Sequence, residues 1–156
     1  MSIERVKAYF EPLGLADRIR EFSVSSATVE LAAAALGCDG CRIAKSLSFL
    51  VDGGAVLVVA AGDARSDNGK FKAFFHTKAK MLSPEEATAL VGHAVGGVCP
   101  FAVNEGVRTY LDVSLKRFGS VFPACGSSNS AIELTLDELE RFSHALGWVD
   151  VCKGWQ

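Results

Sequence analysis

The chain has 156 residues, 49% of them hydrophobic, which is enough to bury the core of one ordinary domain. The net charge of −2 and the pI of about 5.9 argue against a protein that coats nucleic acid by bulk electrostatics, although a localised basic patch stays open. The longest apolar run, residues 55–61, is far shorter than the roughly 20 residues of a membrane-spanning helix, and the N-terminus has no signal-peptide layout. We therefore expect one cytoplasmic domain over residues 1–156.

The first two predicted elements are helices. Ser2 is placed to cap the first one, and Gly14 suits its end. Its apolar residues recur at helical spacing: Ile3, Val6, Phe10 and Leu13. Thr28 begins a second, alanine-rich helix that Gly37 ends.

A β-hairpin is predicted next. Residues 43–51 alternate as a strand does, residues 52–54 are the turn sequence Asp-Gly-Gly, and residues 56–60 form a second apolar strand. A later strand is predicted from five residues that fall on one face: Val107, Thr109, Leu111, Val113 and Leu115. Short apolar stretches near Val121 and Ile132 suggest two more strands.

Two capping boxes predict further helices. Residues 83–86, Ser-Pro-Glu-Glu, begin a helix that Gly92 ends. Residues 135–138, Thr-Leu-Asp-Glu, begin another, which Gly147 follows. The inward residues of this last helix are predicted to be Leu139, Phe142 and Leu146. The fold class is therefore α+β, with several strands, partly linked as hairpins, and helices packed around them.

Lys45 is the most informative single position. It shares a strand face with apolar residues: Ile43, Leu47, Phe49 and Val51. Burying an unpaired ammonium is costly, so such a lysine must be paired, have a lowered pKa, or point into a wet cleft where its charge is used. The alternative is a lysine that reaches solvent along its apolar stem.

A glycine-rich loop follows the helix that begins at residue 83. Residues 92–100 read Gly-His-Ala-Val-Gly-Gly-Val-Cys-Pro, and the adjacent glycines would let backbone amides approach a ligand closely. By composition alone the segment is also compatible with an ordinary turn. It is not a nucleotide P-loop, because the chain has no Gly-x-x-x-x-Gly-Lys-Ser/Thr pattern.

Residues 70–80 combine basic and aromatic side chains. Four lysines and three phenylalanines fall within these eleven residues, and the lysines are Lys70, Lys72, Lys78 and Lys80. Basic groups interleaved with aromatic rings suit a phosphate backbone and stacked bases. The alternative is an amphipathic helix with phenylalanines in the core and a solvated lysine face.

The five cysteines favour reduced thiols over a disulfide framework, because their number is odd and no secretory signal is present. Cys38 and Cys41 have the spacing of a redox or zinc motif. A structural zinc site normally needs a second pair of ligands, and none follows at a suitable distance. We therefore expect no metal and no cofactor.

Five segments together resemble, in motif and order, the YbaK/EbsC-type aminoacyl-tRNA deacylase family, which includes the prolyl-tRNA-synthetase-associated editing domain. These segments are residues 42–49, 62–63, 67–72, 92–101 and 126–134. The likeness runs from about residue 20 to residue 151. It implies a compact, mixed, mostly antiparallel β-barrel-like sheet surrounded by helices, in a single editing domain.

The resemblance also implies a function. The chain would be a free-standing trans-editing hydrolase that deacylates mischarged aminoacyl-tRNA carrying Ala, Cys or Ser, on tRNA-Pro or a related tRNA. Lys45 and Gly96 would be catalytic. The expected substrate-binding residues are Ser46, His93, Gly97, Val98, Pro100, Ser128 and Asn129. Some family members carry an aspartate where this chain has Ala131, so a polar contact to the amine of the amino acid is either missing or supplied elsewhere.

The expected partners are the acceptor end of an aminoacyl-tRNA, gripped by the four lysines of residues 70–80, and an aminoacyl-tRNA synthetase as a further candidate. No membrane partner is expected. Two other functions stay open from the sequence. One is a non-catalytic module of the same fold that binds tRNA or a synthetase. The other is a redox protein that uses Cys38 and Cys41 and would need an exposed thiol of low pKa.

Overall fold

The computed structural model describes residues 2–155. Within them the α-helices are α1 (Ser2–Phe10), α2 (Val29–Leu36), α3 (Asn68–Phe75), α4 (Pro84–Glu86) and α5 (Leu136–Phe142). The strands are β1 (Arg20–Glu21), β2 (Ile43–Val51), β3 (Gly54–Ala61), β4 (Arg65–Ser66), β5 (Arg108–Asp112), β6 (Ser120–Pro123), β7 (Ser130–Ala131), β8 (Leu134–Thr135), β9 (Trp148–Val149) and β10 (Cys152–Lys153). No helix in this part of the chain is long and apolar enough to cross a bilayer.

The β2–β3 hairpin is the centre of a curled six-stranded half-barrel with the order β8-β6-β2-β3-β5-β9. β2–β3 and β6–β8 are antiparallel, whereas β2–β6, β3–β5 and β5–β9 are parallel. The hairpin turns at Asp52 and Gly53, whose φ angles of 53° and 78° are the positive values that a tight two-residue turn requires. The mixed α+β class and the hairpin are confirmed.

β3 lies at the centre of the hydrophobic core, because other elements cover both of its faces. Its residues from Ala55 to Ala61 are all buried, as expected for an apolar run in the middle of a sheet. One face contributes Val56 and Val58 to the main core, and the other contributes Ala55 and Leu57 to a second cluster with Leu82, Ala87 and Val91. The second cluster lies under α4 and the adjoining π-helical turn, Ala87–Val91, so the segment before the glycine-rich loop is anchored on the sheet.

Several helix boundaries follow the predicted caps. Thr28 and Gly37 bound α2, and the capping boxes at Ser83 and Thr135 are both formed. The prediction for Ser2 is wrong in detail, because this residue is the first of α1 and its hydroxyl donates to the carbonyl of Gly126.

Several residues predicted to lie in an α-helix or a strand do not, among them Leu13 and Val107, which lie outside α1 and β5. Val113 and Leu115 belong to a 3₁₀ helix, Val113–Arg117, because the carboxylate of Asp112 accepts from Ser114 N at 2.9 Å and ends the strand. Leu146 is 63% exposed, since α5 ends at Phe142. The chain beyond α5 turns to pair with β5, with Leu146 N donating to Thr109 O.

Candidate active site

A cavity of about 480 Å³ opens beside β2, where the pairing of this strand is interrupted. At one end of the strand, Ile43 and Ala44 pair with β6. Further along, the stretch before α4 covers the same edge, because Leu50 N donates to Lys80 O at 2.8 Å and Leu82 N donates to Ser48 O at 3.0 Å. The cavity lies between these two contacts.

The cavity wall comes from six parts of the chain. Its lining residues are Ser26, Ala27, Thr28, Val29, Ala32, Ile43, Ala44, Lys45, Ser46, Ser48, Met81, Leu82, Pro84, Val95, Gly96, Val98, Phe122, Ala124, Ser130 and Ala131. Lys45 is the one charged side chain among these described lining residues. The rest of the wall is apolar or hydroxylic, so the site is suited to a small, mostly uncharged group next to one cation.

Lys45 is half-buried at the edge of the cavity. Its Nζ donates to the carbonyl of Gly62 at 3.3 Å, and no described carboxylate lies within ion-pair distance of it. Burial lowers the pKa of Lys45 below its ordinary value. The nearby Asp63 is already paired with Arg117, which lowers the pKa of the Asp63 carboxyl. The ammonium therefore keeps donor capacity for a ligand.

The acceptor of this lysine is held by close backbone packing. A Cβ added at Gly62 would lie 2.0 Å from the carbonyl oxygen of Gly40, so only glycine fits at this position. Gly40 lies in the short 3₁₀ helix before β2, Gly40–Arg42, and the approach fixes that helix against the end of β3. The Gly62 carbonyl that orients Lys45 is thus built into the main chain.

The glycine-rich loop forms the opposite wall, and both Gly96 and Gly97 require glycine. Gly96 has a φ of +96°, in the left-handed region that disfavours side chains. Gly97 is packed closely, and a Cβ there would lie 2.7 Å from the backbone of Gly126 and Ser127. The loop is therefore packed directly on the backbone that leads into β7.

Hydrogen bonds from a side chain and from the backbone close the base of the loop. Arg5 of α1 donates to Gly92 O at 3.2 Å and to Ala102 O at 2.7 Å, so one guanidinium joins the two ends. Asn104 N donates to Val91 O at 2.9 Å. Arg5 could not be identified from the sequence, because nothing in a helical arginine signals a contact almost a hundred residues away.

His93 lies beneath the loop and not in the cavity wall. It is 1% exposed, and its Nε2 donates across the loop to Phe101 O at 2.7 Å. Burial lowers the pKa of His93. Its Nδ1 has no hydrogen-bond partner among the described residues. The geometry supports a neutral ring that braces the loop.

The other predicted substrate-binding residues divide into two groups. Ser46 and Val98 line the cavity with Lys45 and Gly96. Gly97, Pro100, Ser128 and Asn129 are not among the lining residues. Asn129 instead joins two chain segments, because its side-chain Nδ2 donates to Phe22 O at 2.9 Å and its backbone carbonyl accepts from Phe22 N at 2.7 Å.

The basic segment lies next to the cavity but does not line it. Lys70 donates to Asp150 at 3.0 Å and to Cys152 O at 3.1 Å, and the hydrogen bond from Lys70 to Asp150 raises the pKa of the lysine. Lys72 and Lys78 border a separate hollow of about 470 Å³. α3 buries Phe71 but leaves Phe74 46% exposed, so the segment is only partly the amphipathic helix of the alternative interpretation.

Cys38 and Cys41 are half-buried free thiols, and burial raises the pKa of Cys38. That direction is opposite to what a reactive thiol needs. Among residues 2–155, no group of three or more His, Cys, Asp or Glu side chains is arranged to hold a metal ion.

Two known proteins are similar to this chain in sequence. The chain is 54% identical over 157 residues to the Uncharacterized protein YwhH of Bacillus subtilis (strain 168), with 100% of both chains covered. It is 29% identical over 119 residues to the proline–tRNA ligase of Geobacillus sp. (strain WCH70), covering 76% of this chain and 20% of the ligase. The chain therefore corresponds to about a fifth of that larger enzyme.

Solved structures share the fold. A protein described as a proposed trans-editing enzyme for prolyl tRNA synthetase superimposes with a TM-score of 0.87 at 32% identity, covering 98% of both chains. The hypothetical protein APE2540 gives a TM-score of 0.84 at 29% identity, covering 96% of this chain and 99% of that one. The model of the aminoacyl-tRNA editing domain matches residues 24–142. The cavity described above thus lies in a tRNA-editing fold, and the chain belongs to the aminoacyl-tRNA editing domain family.

Proposed function

We propose that this protein deacylates mischarged aminoacyl-tRNA in trans, removing a small amino acid such as Ala, Cys or Ser from tRNA-Pro or a related tRNA. The observation that carries the proposal is the environment of the Lys45 ammonium. It is the one charged side chain among the described residues of the cavity wall, it is partly desolvated, and its ammonium meets only a neutral carbonyl. A cation kept in this state is available for charge that develops on a substrate.

An aminoacyl ester needs little further help to hydrolyse. The ester is already activated, so positioning, a polarised carbonyl and an attacking water are sufficient: the water oxygen bonds to the acyl carbon, the ester bond breaks, and the ribose oxygen leaves as a hydroxyl with a proton from that water. In this mechanism the ammonium of Lys45 stabilises negative charge on the carbonyl oxygen or the ribose, and the loop from Gly96 to Pro100 holds the aminoacyl-adenosine end. A donor of this oxyanion-hole kind contributes roughly 3 to 4 kcal/mol.

The cavity wall favours a small amino acid. Val98, Phe122 and Ile43 supply apolar surface, while Ser46, Ser48 and Ser130 supply hydroxyls. An apolar wall distinguishes side chains that differ by one methylene by only about 1 to 3 kcal/mol, so modest selectivity among Ala, Cys and Ser is expected from it.

Phosphates of the acceptor end would contact the basic segment. Lys72, Lys78 and Lys80 are exposed, and the ion pairs found among residues 2–155 do not include them, whereas Lys70 is held by Asp150. Lys80 directly precedes Met81, a cavity-lining residue, so this segment leads from the protein surface to the cavity. A phosphate backbone that follows it would bring the terminal adenosine to Lys45.

The test is deacylation of alanyl-, seryl-, cysteinyl-, threonyl- and prolyl-tRNA by the wild type and by Lys45→Ala, side by side. We expect hydrolysis of one or two small-residue substrates by the wild type and a drop of about 10²–10³-fold in the variant. Full activity in Lys45→Ala would refute the role of the lysine. No hydrolysis by the wild type would favour a non-catalytic module that binds tRNA or a synthetase.

A further inference from the structure

The outer edge of β2 has a gap centred on Ser46. Successive residues of a strand direct their N–H and C=O groups alternately to the two sides. Ser48 and Leu50 direct theirs away from β3, as their bonds to Leu82 and Lys80 show. Ser46 is two residues before Ser48, so its N–H and C=O must also point away from β3. β6 ends its pairing at Ala44, and no described residue pairs with Ser46 on this outer edge.

We propose that this gap binds the aminoacyl group of the substrate through its main chain. The amide N–H of Ser46 donates to the ester carbonyl oxygen, and the carbonyl of Ser46 accepts from the α-ammonium group. The substrate residue thereby takes the place of one missing strand residue, in the pattern of a hydrogen-bonded antiparallel pair. This inference rests on the proposed function and assigns the part of the substrate that is recognised.

Two features of the site support a single aminoacyl unit as the occupant. Of the neighbours that face the same way, Ala44 pairs with β6 and the carbonyl of Ser48 accepts from Leu82 N, so a longer peptide cannot continue the pairing beyond these two residues. The gap also opens into the cavity, because Ser46 lines it together with Ala124 and Leu82, which flank the gap on either side.

The charge of the site supports the same assignment. An α-ammonium needs an acceptor, and no carboxylate is found among the described residues of the cavity wall. A backbone carbonyl on an unpaired strand edge is an acceptor of suitable direction. Lys45, the neighbour of Ser46, already donates to Gly62 O, so its ammonium does not occupy the carbonyl of Ser46.

Main-chain recognition makes a prediction that side-chain recognition does not. A substrate without the α-amine should be poor whatever its side chain. The first experiment compares wild-type hydrolysis of alanyl-tRNA with that of lactyl-tRNA, in which a hydroxyl replaces the amine on the same tRNA. We expect kcat/KM to fall by about 10- to 100-fold, as for removal of a charge-assisted hydrogen bond. Equal rates would overturn the inference while leaving the deacylase function intact.

The second experiment removes the donor. Because the Ser46 N–H is outside the β2–β3 ladder, Ser46→Pro deletes it without breaking a bond between these strands, and the residue before a proline favours the extended backbone already present. Ser46→Ala removes the hydroxyl but keeps the N–H and is the matched control. We expect Ser46→Pro to be at least about 10-fold slower than Ser46→Ala. Equal activity of the two variants would contradict the assignment.

A binding measurement gives a readout independent of turnover and of variant folding. The non-hydrolysable probe 3′-alanylamido-3′-deoxyadenosine is titrated into the wild type, and backbone amide protons are followed by NMR. The Ser46 amide should shift downfield, whereas the Leu50 amide, already bonded to Lys80 O, should not. Saturation without a change at Ser46 overturns the inference. Failure of the wild type both to bind this probe and to hydrolyse any aminoacyl-tRNA overturns the proposed function as well.

Discussion

The cavity and the basic segment of residues 70–80 each contain a lysine, and the two lysines have opposite electrostatic environments. Lys45 is half-buried beside a neutral carbonyl, and its pKa is lowered by burial. Lys70 is exposed and bonded to Asp150, which raises its pKa. A lysine that forms an ion pair within the protein contributes to the stability of the fold. A lysine without a carboxylate partner keeps its charge available for a ligand. Under the proposed function we therefore expect Lys45 to contribute more to activity than Lys70.

The largest expected effect is a difference in deacylation rate between variants of these two lysines. Lys45→Met keeps most of the apolar stem and removes the cation, so deacylation should fall by about 10²–10³-fold. Lys70→Met should leave the rate within a few-fold of wild type, because Asp150 already neutralises this charge. Single-turnover rates on one aminoacyl-tRNA measure both. Equal decreases in the two variants would break the comparison.

A matched pair of glycine substitutions compares the backbone of the two regions. Gly97→Ala places a Cβ 2.7 Å from the backbone of Gly126 and Ser127, which cannot move aside, so we expect destabilisation by about 1–3 kcal/mol and a fall in activity. Gly69→Ala in α3 meets only the side chain of Asp67, at 3.3 Å, and should change stability by less than about 1 kcal/mol. Urea unfolding of both variants is the measurement. A stable, active Gly97→Ala would show that the loop does not need close packing.

The basic segment can be tested by the salt dependence of tRNA binding. Neutralising Lys72 and Lys78 together as glutamines should weaken binding and reduce the slope of log K against log salt by about 0.7–0.9 for each phosphate that these lysines neutralise in the wild type. Lys70→Gln should reduce it less, because its ammonium is shared with Asp150. An unchanged slope in the double variant would place the phosphates elsewhere.

The smallest expected effect is on stability and its pH dependence. The folded pKa of Lys45 is below the ordinary 10.5, so the unfolded state binds more protons between these two values and wild-type stability should rise with pH through that window. Lys45→Met should be at least as stable as the wild type near neutral pH and should lack this rise. Lys70 has the opposite sign: its stabilisation is present below 10.5 and is lost as pH rises through its raised pKa. Denaturant titrations near neutral pH and just below 10.5 compare the variants.

Elements set by neighbouring residues were predictable from the sequence. The turn at Asp52 and Gly53, the caps at Thr28, Ser83 and Thr135, and the hairpin all depend on contacts a few residues apart. The strand proposed through Leu115 failed because Asp112 uses its carboxylate to cap a 3₁₀ helix, which alternating apolar residues do not reveal.

The site was only partly predictable, for a different reason. Lys45 is identifiable because one charged residue interrupts an apolar strand face. The gap at Ser46 is not, since it exists only where the contact of β2 with β6 ends and its contact with residues 80–82 begins. His93 was expected at the substrate because it lies in the glycine-rich loop, but its ring is used to hold Phe101 O.

Arg5 contacts both ends of the glycine-rich loop, so a fragment of this domain needs α1 to keep these contacts. The family match begins at residue 24, after α1, yet α1 supplies the guanidinium that joins Gly92 to Ala102 and the Ser2 hydroxyl that bonds Gly126. A fragment trimmed to residues 24–142 would keep every motif residue, but its loop would be without this brace. We therefore expect a fragment of this chain without α1 to need another donor that joins Gly92 to Ala102.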